Sequence, residues 1–188
     1  MQDYKKIDHK LIHKGHIIDY YEDTIQLPDG RTAKWDLIDH RGAAAIVPVD
    51  EDGNIIMVRQ YRNPLQRYTL EIPAGGINPG EDCKTAAMRE CEEETGYRAG
   101  ETKHLIDIYT TVAFCNEKIS IYYTNQLLPS KQHLDEDEFL NVERHSVEEL
   151  TAMILTGMIQ DAKTISAILA YKQLQEHIGT NPMNHIIS

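Results

Sequence analysis

The sequence predicts an α+β fold with a small antiparallel sheet at its amino-terminal end, and three observations predict it. Short apolar and β-branched runs separated by turn residues fill much of residues 15–73. Residues 85–95 lack an interior glycine or proline and are closed by Gly96, the pattern of a helix with its carboxy-terminal cap. Two further capped helical patterns follow residue 145.

Taken in order, residues 16–21 and 24–27 read as strands, Pro28-Asp29-Gly30-Arg31 as a turn, and residues 32–38 as a third strand. Three short strands bury little surface alone, so the region 1–40 is expected to lean on the rest of the chain or on a second copy of itself. A boundary near His40 separates it from 41–188. There, residues 43–49 are a nearly continuous apolar run, Asp50-Glu51-Asp52-Gly53 is an acidic turn, and residues 54–62 return as a strand, an expected core hairpin. Residues 68–73 lead into Ala74, Gly75 and Gly76, placing backbone groups at a strand end where a ligand can reach them. Residues 104–111 and 118–125 read as strands around a loop, and residues 139–144 as a final strand. Ser146 and Glu149 have capping-box spacing, Gly157 ends that helix, and Asp161 caps the last one, where Ile165, Ile168, Leu169 and Leu174 form a core stripe.

The 188 residues, 41% hydrophobic and 26% charged, can bury one ordinary core. A formal net charge of −11 disfavours a nucleic-acid partner, whose backbone calls for basic patches. No apolar run approaches the roughly 20 residues that cross a bilayer, and residues 1–14 are too polar for a secretory signal, so a cytoplasmic protein without a membrane partner is expected. Cys83, Cys91 and Cys115 have neither disulfide nor zinc spacing, and the nine histidines lack a His-x3-His pattern.

The chemistry concentrates in residues 75–97. Glu90, Glu93 and Glu94 stand at i, i+3 and i+4, so they share one helix face. Like charges so close repel unless a cation lies among them. A hard divalent ion such as Mg²⁺ suits carboxylate oxygens and the phosphates of a substrate. A run of glutamates is ordinarily a solvated face, but here the preceding loop carries a spacing of its own.

Gly75, Glu81, Arg89, Glu90, Glu93, Glu94 and Gly96 fill all seven fixed positions of a pattern that resembles the Nudix hydrolase signature, G-x5-E-x7-R-E-U-x-E-E-x-G-U. The odds of a chance match are on the order of 10⁻⁹ to 10⁻⁸ per starting point. Cys91 and Tyr97 occupy its bulky apolar positions. The resemblance implies an α/β/α sandwich with a mixed sheet. Gln60-Tyr61-Arg62, the segment 70–75, Asp135-Glu136-Asp137-Glu138 and Asp161-Ala162-Lys163-Thr164 extend it to the ADP-ribose and ADP-sugar pyrophosphatase branch.

That branch implies metal-dependent hydrolysis of a nucleoside diphosphate-sugar, ADP-ribose giving AMP and ribose 5-phosphate, by a homodimer that exchanges its amino-terminal sheet. Mg²⁺, with Mn²⁺ as an alternate, would be held by Glu90, Glu94, Glu138 and the Ala74 carbonyl. The base would be Glu136, with Glu93 the competing candidate. Arg62 and Glu71 would contact substrate, and Gly75, Glu81, Arg89 and Gly96 would shape the loop and helix. Val112 stands where the branch has a proline, which keeps GDP-mannose and other nucleotide sugars open as substrates. A sensor that binds ADP-ribose without hydrolysing it is the reading outside enzymology. For the nucleobase, Tyr20, Tyr21 and Trp35 are aromatic candidates with no one of them preferred.

Overall fold

The computed structural model describes residues 3–134 and 139–180. Its architecture is the expected α+β one, with helices and a mixed sheet. Two compact units are present, 1–42 with 109–119, and 43–108 with 120–188.

In the first unit, β1 (Lys5–Lys14), β2 (Ile18–Gln26) and β3 (Thr32–His40) form an antiparallel sheet in the order β1-β2-β3. The sequence reading missed β1 and divided β2 in two. Two register shifts interrupt the β1 pairing, so its apolar residues do not alternate cleanly. Charged residues lie mid-strand in β2 because Asp23, 5% exposed, is paired from β1 by Lys6 at 2.5 Å and His9 at 2.5 Å. The loop 110–117, expected with the larger unit, hydrogen-bonds along β3: Ile38 N–H donates to the Phe114 carbonyl at 2.7 Å, and His40 N–H to Asn116 Oδ1 at 2.8 Å.

The second unit begins with β4 (Ala43–Pro48), buried at every position, as its apolar run requires. β5 (Ile55–Arg62) follows the acidic turn, but the expected β4–β5 hairpin is corrected. A single bridge joins Val49, the residue after β4, to Ile55, and the two strands enter different sheets. β5 lies between β6 (Arg67–Glu71) and β12 (Leu140–His145). β4 lies between β7 (Ala74–Gly76) and β10 (Lys118–Thr124), with β9 (Lys103–Tyr109) beyond β10. A third, two-stranded sheet pairs β8 (Tyr97–Ala99) with β11 (Leu127–Pro129), segments too short to show a period in the sequence.

Helix α1 (Cys83–Thr95) packs on β4 through small residues. Ala86, Ala87 and Cys91 meet Ala44 and Ile46, and this cluster lets helix and strand approach closely. Burial pushes the Cys91 thiol up to about 12, consistent with a packing role. α2 (Val147–Leu155) has the expected capping box, with Ser146 N–H donating to Glu149 Oε2 at 2.9 Å and Glu149 N–H to Ser146 Oγ at 3.2 Å. Gly157, at φ +75°, turns the chain out of it. α3 (Ala162–Thr180) starts at Asp161, whose Oδ2 accepts from Thr164 N–H at 3.0 Å. Among the described residues, no helix is long and apolar enough to cross a membrane.

Candidate active site

The site is built where β6 ends, β7 begins and α1 passes behind them. The entry loop to α1 folds on local bonds, Asn78 N–H to Glu81 Oε2 at 3.0 Å and Glu81 N–H to the Asn78 carbonyl at 3.0 Å. Asp82 Oδ1 caps the helix by accepting from Lys84 and Thr85 N–H, both at 3.0 Å. Gly96 closes it at φ +73°, a conformation that disfavours any other residue.

Between those caps, Arg89 ties loop and helix together. Its guanidinium donates to Glu81 at 2.9 and 3.0 Å, to Glu90 at 2.6 Å, to Glu93 at 2.7 Å and to the Gly76 carbonyl at 2.9 Å. Glu81 first, then Glu93 and Glu90, raise the Arg89 pKa against the effect of burial. Arg89 likewise holds the Glu81 carboxyl below its ordinary value.

The acids expected on one face do converge. Glu94, 2% exposed, accepts from Ala74 N–H at 3.0 Å, fixing the first residue of β7 to the helix. Glu90, 9% exposed, lies against Gly75 so closely that a Cβ there would come within 2.1 Å of its Oε1. Gly75 is therefore needed for close approach. Glu93 is the more exposed of the three, its side chain at 37%. Glu136 and Glu138 lie outside the described residues.

Among the described residues, no group of three or more His, Cys, Asp or Glu side chains already encloses a metal-sized point, and Arg89 stands among the carboxylates. The donor set nonetheless fits a hard divalent cation. Glu90 and Glu94 offer only oxygen, and with Gly75 lacking a side chain the Glu90 carboxylate sits on the β7 backbone.

Arg62 and Glu71 do meet, but as partners of each other. Arg62 Nε and Nη2 donate to the two Glu71 oxygens at 2.8 and 2.6 Å. Thr69 Oγ1 donates at 2.6 Å and Lys163 Nζ at 2.5 Å to the same carboxylate, while Lys163 also reaches Asp161 Oδ2 at 2.9 Å. Burial pushes the Glu71 carboxyl up, but Arg62 and Lys163 outweigh it and hold it at about 2. Glu71, expected as a substrate contact, is 2% exposed and accepts from four donor atoms of Arg62, Thr69 and Lys163, which make it an internal counter-ion. Arg62 remains 40% exposed at its side chain, and its pKa is raised first by Glu71 and further by the charges of Asp161 and Glu94.

Sequence reading missed Lys163, Thr164 and Thr69 as members of this network. Asp161-Ala162-Lys163-Thr164 did stand out, as a capped helix start and as part of the branch resemblance, but neither reading gives Lys163 or Thr164 a partner. The aromatic candidates of the other unit are engaged locally: Tyr20 donates to Asp36 at 2.6 Å, Tyr21 stacks on His9 at 4.0 Å between centroids, and Trp35 lies 5.7 Å from Tyr4. Val112 is 83% exposed.

With this geometry in hand, comparison with known proteins is specific. The NUDIX domain family profile matches residues 39–168. The chain is 39% identical over 174 residues to the ADP-ribose pyrophosphatase of Bacillus subtilis (strain 168), spanning 92% of this chain and 94% of that protein. It is 37% identical over 174 residues to the methanol dehydrogenase activator of Bacillus methanolicus, with the same 92% and 94% coverage. A crystal structure of an ADP compounds hydrolase superposes at a TM-score of 0.85 over 96% of this chain and 98% of that one, a likeness of fold at 21% identity. The profile spans the helix, caps and convergent glutamates just described, and the chain belongs to the Nudix family.

Proposed function

We propose that this Nudix enzyme hydrolyses ADP-ribose, taking up one water and releasing AMP and ribose 5-phosphate. The observation that carries the reading is the convergence of buried Glu90 and Glu94 on β7, where Ala74 N–H is already bound to Glu94. The Bacillus subtilis relative supports ADP-ribose as the substrate.

A divalent ion, Mg²⁺ or in its place Mn²⁺, would supply charge neutralisation of the diphosphate and lower the pKa of the attacking water. Glu90, Glu94, the Ala74 carbonyl and Glu138 would hold it. Arg89 keeps the Glu90 carboxylate aimed at β7 through its fork of donors. Arg62, anchored on Glu71, presents its exposed edge to a phosphate or ribose oxygen. Glu136 takes the proton from the attacking water, and Glu93, which accepts a hydrogen bond from Arg89, is the competing base.

The assembly we propose is a homodimer formed through the amino-terminal sheet. β1 is exposed along its length, with Ile7, Leu11 and Ile12 each about half accessible, and Trp35 on β3 is 47% exposed.

The test is turnover of ADP-ribose, ADP-glucose, GDP-mannose, NADH and a dinucleoside polyphosphate by purified protein with Mg²⁺, with products separated by ion-exchange chromatography. ADP-ribose is expected to have the highest kcat/KM and to yield AMP and ribose 5-phosphate in equal amounts. Turnover of none of them, or faster turnover of GDP-mannose, overturns the substrate assignment.

A further inference from the structure

We infer that Lys163, at the first turn of α3, is a positioning residue for the metal end of the site, acting through Glu71 and the four residues 71–74. The inference rests on the hydrolase reading above and adds to it a residue far from the Nudix signature.

Each of those four residues has its own anchor. Glu71 is held by Lys163 Nζ at 2.5 Å together with Arg62 and Thr69. Ile72 N–H donates to Thr164 Oγ1 at 3.1 Å, and Thr164 is bound in turn to the Asp161 cap at 2.6 Å. The Pro73 carbonyl accepts from Ile46 N–H on β4 at 3.0 Å. Ala74 N–H donates to Glu94 at 3.0 Å. The segment thus connects the start of α3 to the carboxylate proposed to hold the ion, without a free joint along the way.

Charge makes Lys163 the member that cannot be replaced by packing. The group contains two cations, Arg62 and Lys163, and two carboxylates, Glu71 and Asp161, with Glu71 and Lys163 at its buried centre. Lys163 bridges both acids, which belong to different elements, so its ammonium joins α3 to the end of β6. Removing it leaves two neighbouring carboxylates with one guanidinium, and that guanidinium is the one proposed to face substrate. The segment then relaxes away from α3, and the Ala74 carbonyl and Glu94 lose their fixed separation. Displacements on the order of 1 Å suffice to cost roughly 100-fold in rate.

The test compares wild type with K163M, D161N/K163M and K163Q. D161N/K163M removes the unpaired acid while asparagine still caps α3, and K163Q keeps a donor for Glu71, so the result does not depend on one variant folding. Stability is read by urea unfolding, Mn²⁺ binding without substrate by electron paramagnetic resonance, and kcat and KM with ADP-ribose. K163M is expected to lose at least tenfold in Mn²⁺ affinity and about 100-fold in kcat, with KM changed less than threefold. D161N/K163M is expected to recover the urea midpoint but neither kcat nor Mn²⁺ affinity, and K163Q to fall between. If D161N/K163M regains kcat and Mn²⁺ affinity along with stability, or folded K163M stays within threefold of wild type in both, Lys163 is structural only and the inference fails. Absence of turnover and of Mn²⁺ binding in the wild type would instead remove the hydrolase reading beneath it.

Discussion

Replacing Arg89 by lysine separates its charge from its shape. The guanidinium makes five hydrogen bonds, to Glu81 twice, Glu90, Glu93 and the Gly76 carbonyl. An ammonium at the end of a lysine has three donors around one point and can hold two or three of those partners. Bonds to charged groups contribute about 1.5–3 kcal/mol each when buried. Arg89 is 25% exposed at its side chain, so water compensates part of the loss and isolated-pair values are too generous. The net cost of R89K is then about 2–3 kcal/mol, or a fall in Tm of roughly 4–12 °C for a chain of this length. R89M removes the charge as well, leaving Glu81, Glu90 and Glu93 to repel, and should cost more and recover part of the loss when Mg²⁺ is added. Urea unfolding with the slope m held in common measures both variants. A loss below about 0.5 kcal/mol in R89K, or no response of R89M to Mg²⁺, refutes the view that Arg89 organises the loop and helix.

Other outcomes follow from the same geometry. G75A places a Cβ 2.1 Å from Glu90 Oε1, the movable end of a side chain, so stability should change by no more than ~1 kcal/mol while Mn²⁺ affinity and kcat fall at least tenfold; unchanged Mn²⁺ binding would contradict the close approach. Because the Glu71 pKa is depressed from 4.5 to about 2, its contribution is present above pH ~4.5 and lost as pH falls toward 2, a change of about 3 kcal/mol. The stability difference between wild type and E71Q should therefore shrink over that window, and a constant difference would count against the buried ion cluster. E136Q is expected to keep Mn²⁺ binding and lose about 10²–10⁴-fold in kcat, with E93Q losing less than tenfold; the reverse order assigns the base to Glu93.

The site was legible where its logic is local. Glu90, Glu93 and Glu94 share a face by helical spacing, Gly96 and Ser146 are helix-end residues by type, and Gly75 has no side chain where Glu90 lies close. It was not legible where partners are distant in sequence. Glu71 meets Lys163 across 92 positions, and nothing near either residue announces an ion pair. The same limit explains the strands. β1 is polar and bulged, β8 and β11 are three residues long, and the sharp turn after β4 resembles a hairpin although β4 and β5 serve different sheets. Val112 showed a departure from the branch pattern in sequence, and its exposure of 83% gives no packing reason for the residue chosen there.

The most direct test of the central claim is the anomalous-scattering map of crystals grown with Mn²⁺ and a non-hydrolysable ADP-ribose analogue. A peak bonded to the Glu90 and Glu94 carboxylates and the Ala74 carbonyl, with the analogue's diphosphate against it, is the predicted result. A peak elsewhere, or none at saturating Mn²⁺ with the analogue bound, contradicts it.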